Sequence, residues 1–288
     1  MSESWAEKTA KQVLSRALLK RGVCLIIGGV DTGKTSLAEA LARGLANYGP
    51  VGLIDADVGQ SDIGPPATVA WAVFDNPEIT LSKLVVRGMC FVGDVTPVRH
   101  LLQFTAAVTR CLDAASKTAE VIIVDTPGFI AGRAAAALWW TVQQVLRPQS
   151  IVALYRWDEL DGILSGIRGF DCQLEMIKSP ENIPLKSPQQ RQDFRSKQFT
   201  EYFRNARSYH INLNQVAIQS AWNLTNAGLP GHLVGLRDGS GDDIAIGVIT
   251  NWDFRKGLAV IKAPEVDIGR VRGLVIGDVT VSMDEEYL

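Results

Sequence analysis

VCLIIGGVDTGKTSLAEAL, residues 23–41, is the stretch whose reading decides the fold. Val23 to Ile27 form an apolar run of strand length, a glycine-rich loop follows, and the residues after it recur at helical spacing. Residues 28–35, GGVDTGKT, satisfy the GxxxxGK(S/T) pattern in the strand-to-helix setting that the pattern requires. The chemistry calls for these residue types. Glycines let backbone amides close around phosphate oxygens, Lys34 puts a cation on the β- and γ-phosphates, and Thr35 offers a hydroxyl to Mg²⁺. Gly28, Gly29, Val30, Asp31, Thr32, Gly33, Lys34, Thr35 and Ser36 are therefore expected to bind a nucleoside triphosphate at the positive end of the following helix.

Outward from this loop, short apolar runs alternate with segments of helical period. They are VGLID (51–55), VVRGMCFVG (85–93), HLLQFTAAVTRCLDAAS (100–116), VIIVD (121–125), AAAALWWTVQQVL (134–146) and IVALY (151–155). Strands joined through helices imply crossovers and a mostly parallel, doubly wound α/β sheet of the P-loop NTPase type. Beyond residue 208 the texture changes to HLVGLR, IAIGVIT, LAVIK and VRGLVIG, divided by turn clusters, which predicts a small antiparallel β-rich domain over 208–288. Residues 1–207 form the predicted P-loop domain, and its last part, 178–207, forms a basic lid segment.

Composition narrows the class. The chain has 288 residues, 47% hydrophobic and 21% charged, with a formal net charge of −2, which argues against a globally basic nucleic-acid binder. Charge is unevenly spread, however. Residues 178–207 hold seven basic and three acidic side chains, so a polyanion meets this segment first. Cys24, Cys90, Cys111 and Cys172 form no CxxC pair, and no run of about 18 apolar residues occurs; a cytoplasmic protein with no membrane association is expected.

Three further motifs fall at predicted strand ends, where ligands of such sheets bind. VGLIDADVGQ (51–60) supplies Asp55 and Asp57, carboxylates suited to holding Mg²⁺ or accepting a proton from a hydroxyl. VIIVDTPGF (121–129) supplies Asp125 and a DxxG element shared with GTPases, although the chain lacks an NKxD element. SPQQRQDFRSKQFTEYFRNAR (187–207) reads as a helix: Ser187 is a good N-cap, Pro188 suits its first position and Gln190 completes a capping box. Arg191 and Arg195 then share a face, and Phe199 and Phe203 form an apolar pair. His100 reads as a helix-start residue, His210 and His232 lack metal-like partners, and Trp139 and Trp140 read as core or interface residues. Trp5 to Lys20 has helical period and is expected to pack on the core.

In this order and spacing the motifs resemble those of the polynucleotide 5′-hydroxyl kinase family, which includes the RNA kinase of the mRNA 3′-end cleavage machinery and the kinases of pre-ribosomal RNA processing. The resemblance covers most of residues 22–205. It rests on a P-loop of the TDxGK type, here VDTGK, on DADVGQ (55–60), FVGDVTP (91–97), DTPGF (125–129), LRP (146–148) and the basic EYF-containing helix. It implies transfer of the γ-phosphate of ATP to the 5′-hydroxyl of RNA or DNA by a short, prokaryotic-type member, with Mg²⁺ as cofactor. Lys34 and Thr35 would hold phosphate and magnesium, and Asp57 would organise the metal and activate the hydroxyl, with Asp55 secondary. Thr96, Thr126 and Phe129 would clasp the terminal nucleotide, Asp55, Gln60, Gly128 and Lys186 would join them in binding substrate, and Arg191, with Arg195 and Lys186, would form the lid. Two positions depart from the pattern: Phe129 stands where tryptophan is common, and Lys186 stands at an upstream lid arginine. With about 20 residues before the P-loop strand, the resemblance also implies that the N-terminal β-domain of larger eukaryotic members is missing. The alternatives are an NTPase switch or assembly factor that transfers phosphate only to water, and an ATP-binding scaffold whose kinase activity has decayed.

Overall fold

The computed structural model describes residues 3–16, 21–167, 170–220, 224 and 228–281. Residues 17–20 of the predicted N-terminal helix and the last seven residues lie outside them. Helix α1 (Trp5–Ser15) precedes strand β1 (Gly22–Gly28) and helix α2 (Lys34–Leu45). Then come β2 (Val51–Asp55), β3 (Thr68–Phe74), β4 (Gly88–Phe91), α3 (Leu101–Ala115), β5 (Val121–Asp125), α4 (Gly132–Leu146), β6 (Ser150–Tyr155), α5 (Asp161–Ile167) and β7 (Gln173–Lys178). Helix α6 (Pro188–Phe203) leads into β8 (Arg207–Asn212), β9 (Ala217–Gln219), β10 (His232–Asp238), β11 (Asp243–Asp253), β12 (Leu258–Ala263) and β13 (Val271–Thr280).

The order β7-β6-β1-β5-β2 forms a parallel block, to which β3 and β4 add antiparallel. Side chains of β1 alternate between two helix layers, as the two-residue period requires. Val23, Leu25 and Ile27 pack with Phe104, Leu138 and Trp139 on the α3–α4–α5 side, while Cys24 and Ile26 pack with Val13, Leu37 and Leu41 on the α1–α2 side. Both faces of the sheet are thus covered, which is why these strands read as continuous apolar runs. Strand β3, TVAWAVF, is such a run too but has no α-helix on either side to mark it as part of a crossover, and β7, QLEMIK, escapes the pattern because it is a half-exposed edge strand.

Of the run 85–93, only Gly88–Phe91 is strand. The C-terminal strands have their own core, including Ile211, Val234, Leu236, Ile249, Ile261 and Leu274. They join the main sheet through the pairing of Asp243 with Met89, where Asp243 Oδ2 also accepts from the Phe91 backbone N–H at 2.7 Å. Contrary to a purely antiparallel reading, β9 runs parallel to β13. Phe199 and Phe203 of α6 pack into the seam with Phe91, Ile246 and Val248, so the basic helix is anchored at its far end.

Candidate active site

Because β5 lies between β1 and β2, their carboxyl ends bring three sequence-distant motifs together. Asp125 is in register with Ile26 on one side and with Asp55 on the other. The loop after β1 makes its turn with Gly33 at φ +92° and Asp31 at φ +55°, a left-handed conformation that aspartate tolerates better than most side chains. Gly128 of DTPGF lies against this loop so closely that a Cβ there would sit 2.4 Å from Val30 Cγ1.

A cavity of about 820 Å³ opens over the loop, lined by Val30 to Ser36 together with Asp57, Gln60, Asp62, Lys186, Arg191 and Gln198. Lys34 Nζ is buried and donates to the Gly29 carbonyl at 2.6 Å; Thr32 Oγ1 donates to the same oxygen at 2.9 Å. Thr35 Oγ1 donates to Asp125 Oδ2 at 2.6 Å, while Asp125 Oδ1 is buried without a partner among the described residues. Burial pushes the Asp125 carboxyl up to about 7, opposed chiefly by the Lys34 ammonium. Burial likewise raises Asp57, again opposed by Lys34, and lowers Lys34 against the attraction of Asp125 and Asp57.

The two acids of DADVGQ have different surroundings. Asp55 is 3% exposed and accepts from the Asp57, Asp62 and Ile63 backbone N–H groups and from Ser61 Oγ, at 2.6–3.0 Å. Both of its oxygens are engaged in shaping the loop. Asp57 Oδ1 accepts from the N–H groups of Gly59 and Gln60, both at 3.1 Å, and its Oδ2 has no hydrogen-bond partner among the described residues.

The basic helix begins as its sequence predicts, with Ser187 and Gln190 forming a capping box and Pro188 in the first turn. Arg191 Nη2 donates to Asp31 Oδ2 at 2.6 Å, and the Lys186 N–H donates to the same oxygen at 2.9 Å. Lys186 Nζ donates to Gln60 Oε1 at 3.2 Å, and Gln60 Nε2 donates to the Arg191 carbonyl at 3.4 Å. The basic helix is therefore docked on both loops, while the buried Nε of Arg191 has no partner among the described residues. Arg195, on the same face four residues further along, is half-buried and does not line the cavity, whose wall takes Arg191 and Gln198 from this helix.

Thr96, Thr126, Gly128 and Phe129 do not line this cavity. Thr96 caps the short turn Pro97–Arg99, and Phe129 is half-buried with its carbonyl accepting from Trp139 Nε1 at 2.7 Å. Thr126 is 1% exposed, with its hydroxyl donating to the Ile26 carbonyl at 2.6 Å. Asp125 is the member that sequence motifs left without a role; its strand-end position and the adjacent Thr35 hydroxyl are the signal. A larger cleft of about 1230 Å³ near Tyr48 and Lys117 opens at the amino ends of β2 and β5, away from all of these groups.

The family model described as mRNA cleavage and polyadenylation factor CLP1 P-loop matches residues 28–205. A polyribonucleotide 5′-hydroxyl-kinase of Methanocaldococcus jannaschii is 34% identical over 67% of this chain and 54% of its own length. The Pyrococcus abyssi protein of that name is 32% identical over 70% and 56%, and that of Thermococcus kodakarensis is 25% identical over 92% and 89%. The chain thus spans about half the length of the first two of these relatives. Among solved structures, a chain of a Clp1p–Pcf11p complex superposes with a TM-score of 0.69 at 12% identity, over 95% of this chain and 77% of that one. Among the described residues, no helix is long and apolar enough to cross a membrane.

Proposed function

The chain belongs to the mRNA cleavage and polyadenylation factor CLP1 P-loop family, and from that premise we propose that it is an ATP-dependent polynucleotide 5′-hydroxyl kinase acting on RNA or DNA ends. The observation that carries the reading is the cavity in which the P-loop, the free oxygen of Asp57 and the basic lid residues Lys186 and Arg191 face one another. Phosphoryl transfer asks a protein mainly for position and charge, and these groups supply both. The loop amides and Lys34 hold the phosphates, and Arg191, with a donor to spare, stabilises charge on the moving phosphoryl group. Asp57 receives the proton of the attacking hydroxyl through Oδ2, and its raised affinity for protons suits it to that work. The relatives named polyribonucleotide 5′-hydroxyl-kinase support the acceptor class.

The residues also fit Mg²⁺, a hard cation that takes oxygen ligands. Thr35, Asp57 and the partnerless oxygen of Asp125 would hold it. When bound, it neutralises charge on the β- and γ-phosphates. We also place the protein in the cytoplasm and treat residues 208–281 as a brace for the lid helix.

The test is transfer of phosphorus-32 from the γ-position of ATP to a short 5′-hydroxyl RNA and to its DNA counterpart. Labelled oligonucleotide is expected, and it should vanish in Lys34→Ala and Asp57→Asn. Free phosphate without labelled oligonucleotide would overturn the kinase reading in favour of an NTPase switch, and ATP binding without either product would favour a scaffold.

A further inference from the structure

Two cysteines far apart in the sequence, Cys90 of β4 and Cys111 of α3, meet beneath the seam between the main sheet and the C-terminal strands. Val69 of β3 stands directly opposite Cys90 in the antiparallel register, and Cys111 Sγ donates to the Val69 carbonyl at 3.5 Å. Neighbouring strands run about 4.7–4.9 Å apart, so the Cys111 sulfur sits about one strand spacing from Cys90. Both residues are buried in one cluster with Val69, Ala107 and Val108. The Cys111 thiol is also placed to hydrogen-bond to the Cys90 sulfur.

The two sulfurs differ in access. Cys90 lines a cavity of about 310 Å³ whose walls include Leu102 and Arg110 of α3, Gln219 of β9 and Arg237 of β10, and Cys111 lies behind that wall. Leu102 is 84% exposed, so the cavity reaches the surface. Its volume is ample for a molecule of a few atoms, since a water takes up about 30 Å³ in the liquid.

They also differ in charge environment. Arg237 is occupied by Asp243, to which its Nε and Nη2 donate at 3.0 and 2.9 Å. Arg110 Nη2 donates to Asp242 Oδ1 at 2.7 Å and to the Ser240 carbonyl at 2.9 Å, whereas its Nε is buried without a partner among the described residues. The hydrogen bond from Cys111, with the Arg110 charge, holds the Cys90 thiol below its ordinary value against burial and the carboxylates of Asp243 and Asp242. A cysteine reacts when a cation and a donor favour its thiolate, and a second thiol within reach then resolves the product. Cys24 has no such setting: it packs in the opposite helix layer, and burial pushes its thiol up to about 12.

We propose that Cys90 and Cys111 form a peroxide-responsive dithiol, with Cys90 as the attacking sulfur and Cys111 as the resolving one. The Cys90 thiolate attacks one oxygen of a hydroperoxide; an S–O bond forms, the O–O bond breaks, and the departing oxygen takes up the proton that Cys90 released. Cys111 then loses its proton and attacks the Cys90 sulfur, so that an S–S bond forms, the S–O bond breaks and water leaves. Two thiols give up two electrons and two protons, and hydrogen peroxide becomes two waters. The bridge falls at the joint of the molecule, because Met89 pairs with Asp243 on one side of Cys90 and Phe91 packs against Phe199 and Phe203 on the other.

The test treats the reduced full chain with hydrogen peroxide, blocks remaining thiols with an alkylating reagent in denaturant, and maps the unreduced peptides by mass spectrometry. A peptide pair joined through Cys90 and Cys111, and separated again by dithiothreitol, is expected as the main product. Cys111→Ser should abolish the linkage and leave Cys90 as a sulfenic acid that dimedone traps, while Cys90→Ser should leave Cys111 a free thiol. Recovery of both residues as alkylated thiols after half-exposed Cys172 has oxidised overturns the proposal. So does a main linkage through Cys24 or Cys172, or dimedone on Cys111 in Cys90→Ser. Should a variant not fold, the linkage map of the unaltered chain decides alone.

Discussion

Asp55 and Asp57 stand two residues apart and face opposite demands. Three backbone N–H groups and a hydroxyl depend on Asp55, so Asp55→Ala leaves buried donors without an acceptor. At about 1–3 kcal/mol for each unsatisfied group, a loss of about 3 kcal/mol or more is expected, visible in urea unfolding. Asp57→Asn keeps an acceptor for the Gly59 and Gln60 amides, so its unfolding midpoint should stay near wild type while transfer to a 5′-hydroxyl is lost. Arg191→Ala should lower kcat by about 10³ or more if its guanidinium acts on the transferring phosphoryl group. Arg191→Lys should recover little, since an ammonium cannot form the planar fork. Kinetics at saturating ATP check both substitutions. Arg195→Ala, off the cavity wall, should have the smaller effect.

Helix α6 joins two environments, and its ends are held differently. At its start Ser187 caps the Gln190 amide, and the Gln190 side chain caps the Ser187 amide in return. Ser187→Ala should cost about 0.5–2 kcal/mol at this end. Faster hydrogen exchange at Gln190 and Arg191, with a slower transfer rate, is the expected outcome. At the far end Phe203 is fully buried and packs edge-on to Tyr202, whose hydroxyl accepts from the Ile246 N–H at 3.0 Å. Phe203→Ala should cost about 3–5 kcal/mol of global stability. The contrast between a local and a global response is the signature of a helix whose far end is part of the core.

Across the molecule, the carboxyl ends of β2 and β5 concentrate acids that resist ionising. Burial pushes Asp125 up to about 7 and Asp62 up to about 6, from ordinary values near 3.8, and raises Asp55 and Asp57 in the same direction. A folded state with raised carboxyl values holds more protons than the unfolded chain between about pH 4 and about pH 7. Stability therefore falls as pH rises through that window. Thermal unfolding of the nucleotide-free protein should show a higher Tm at pH 5 than at pH 7.5, and Asp125→Asn should flatten the slope. A profile rising from pH 5 to 7.5 would contradict this account of the site.

Much of this protein is legible in the local grammar of its sequence. Val23 to Thr35 specify a strand and a phosphate loop because backbone closure around phosphate needs glycine and lysine at fixed spacing. Ser187, Pro188 and Gln190 mark the start of α6 because capping is a contact within one turn. Apolar runs marked the central strands because both faces of those strands are buried. What lay beyond reach depended on contacts between distant segments. The orphaned oxygen of Asp125, the inward turn of Asp55 and Thr126, and the grip of Asp31 on Arg191 follow from the strand order, which a linear pattern does not state. The seating of Trp5 against Gly33 is of the same kind: helical period predicts that α1 packs, and only the arrangement of α1, α2 and the loop after β7 selects the surface it meets.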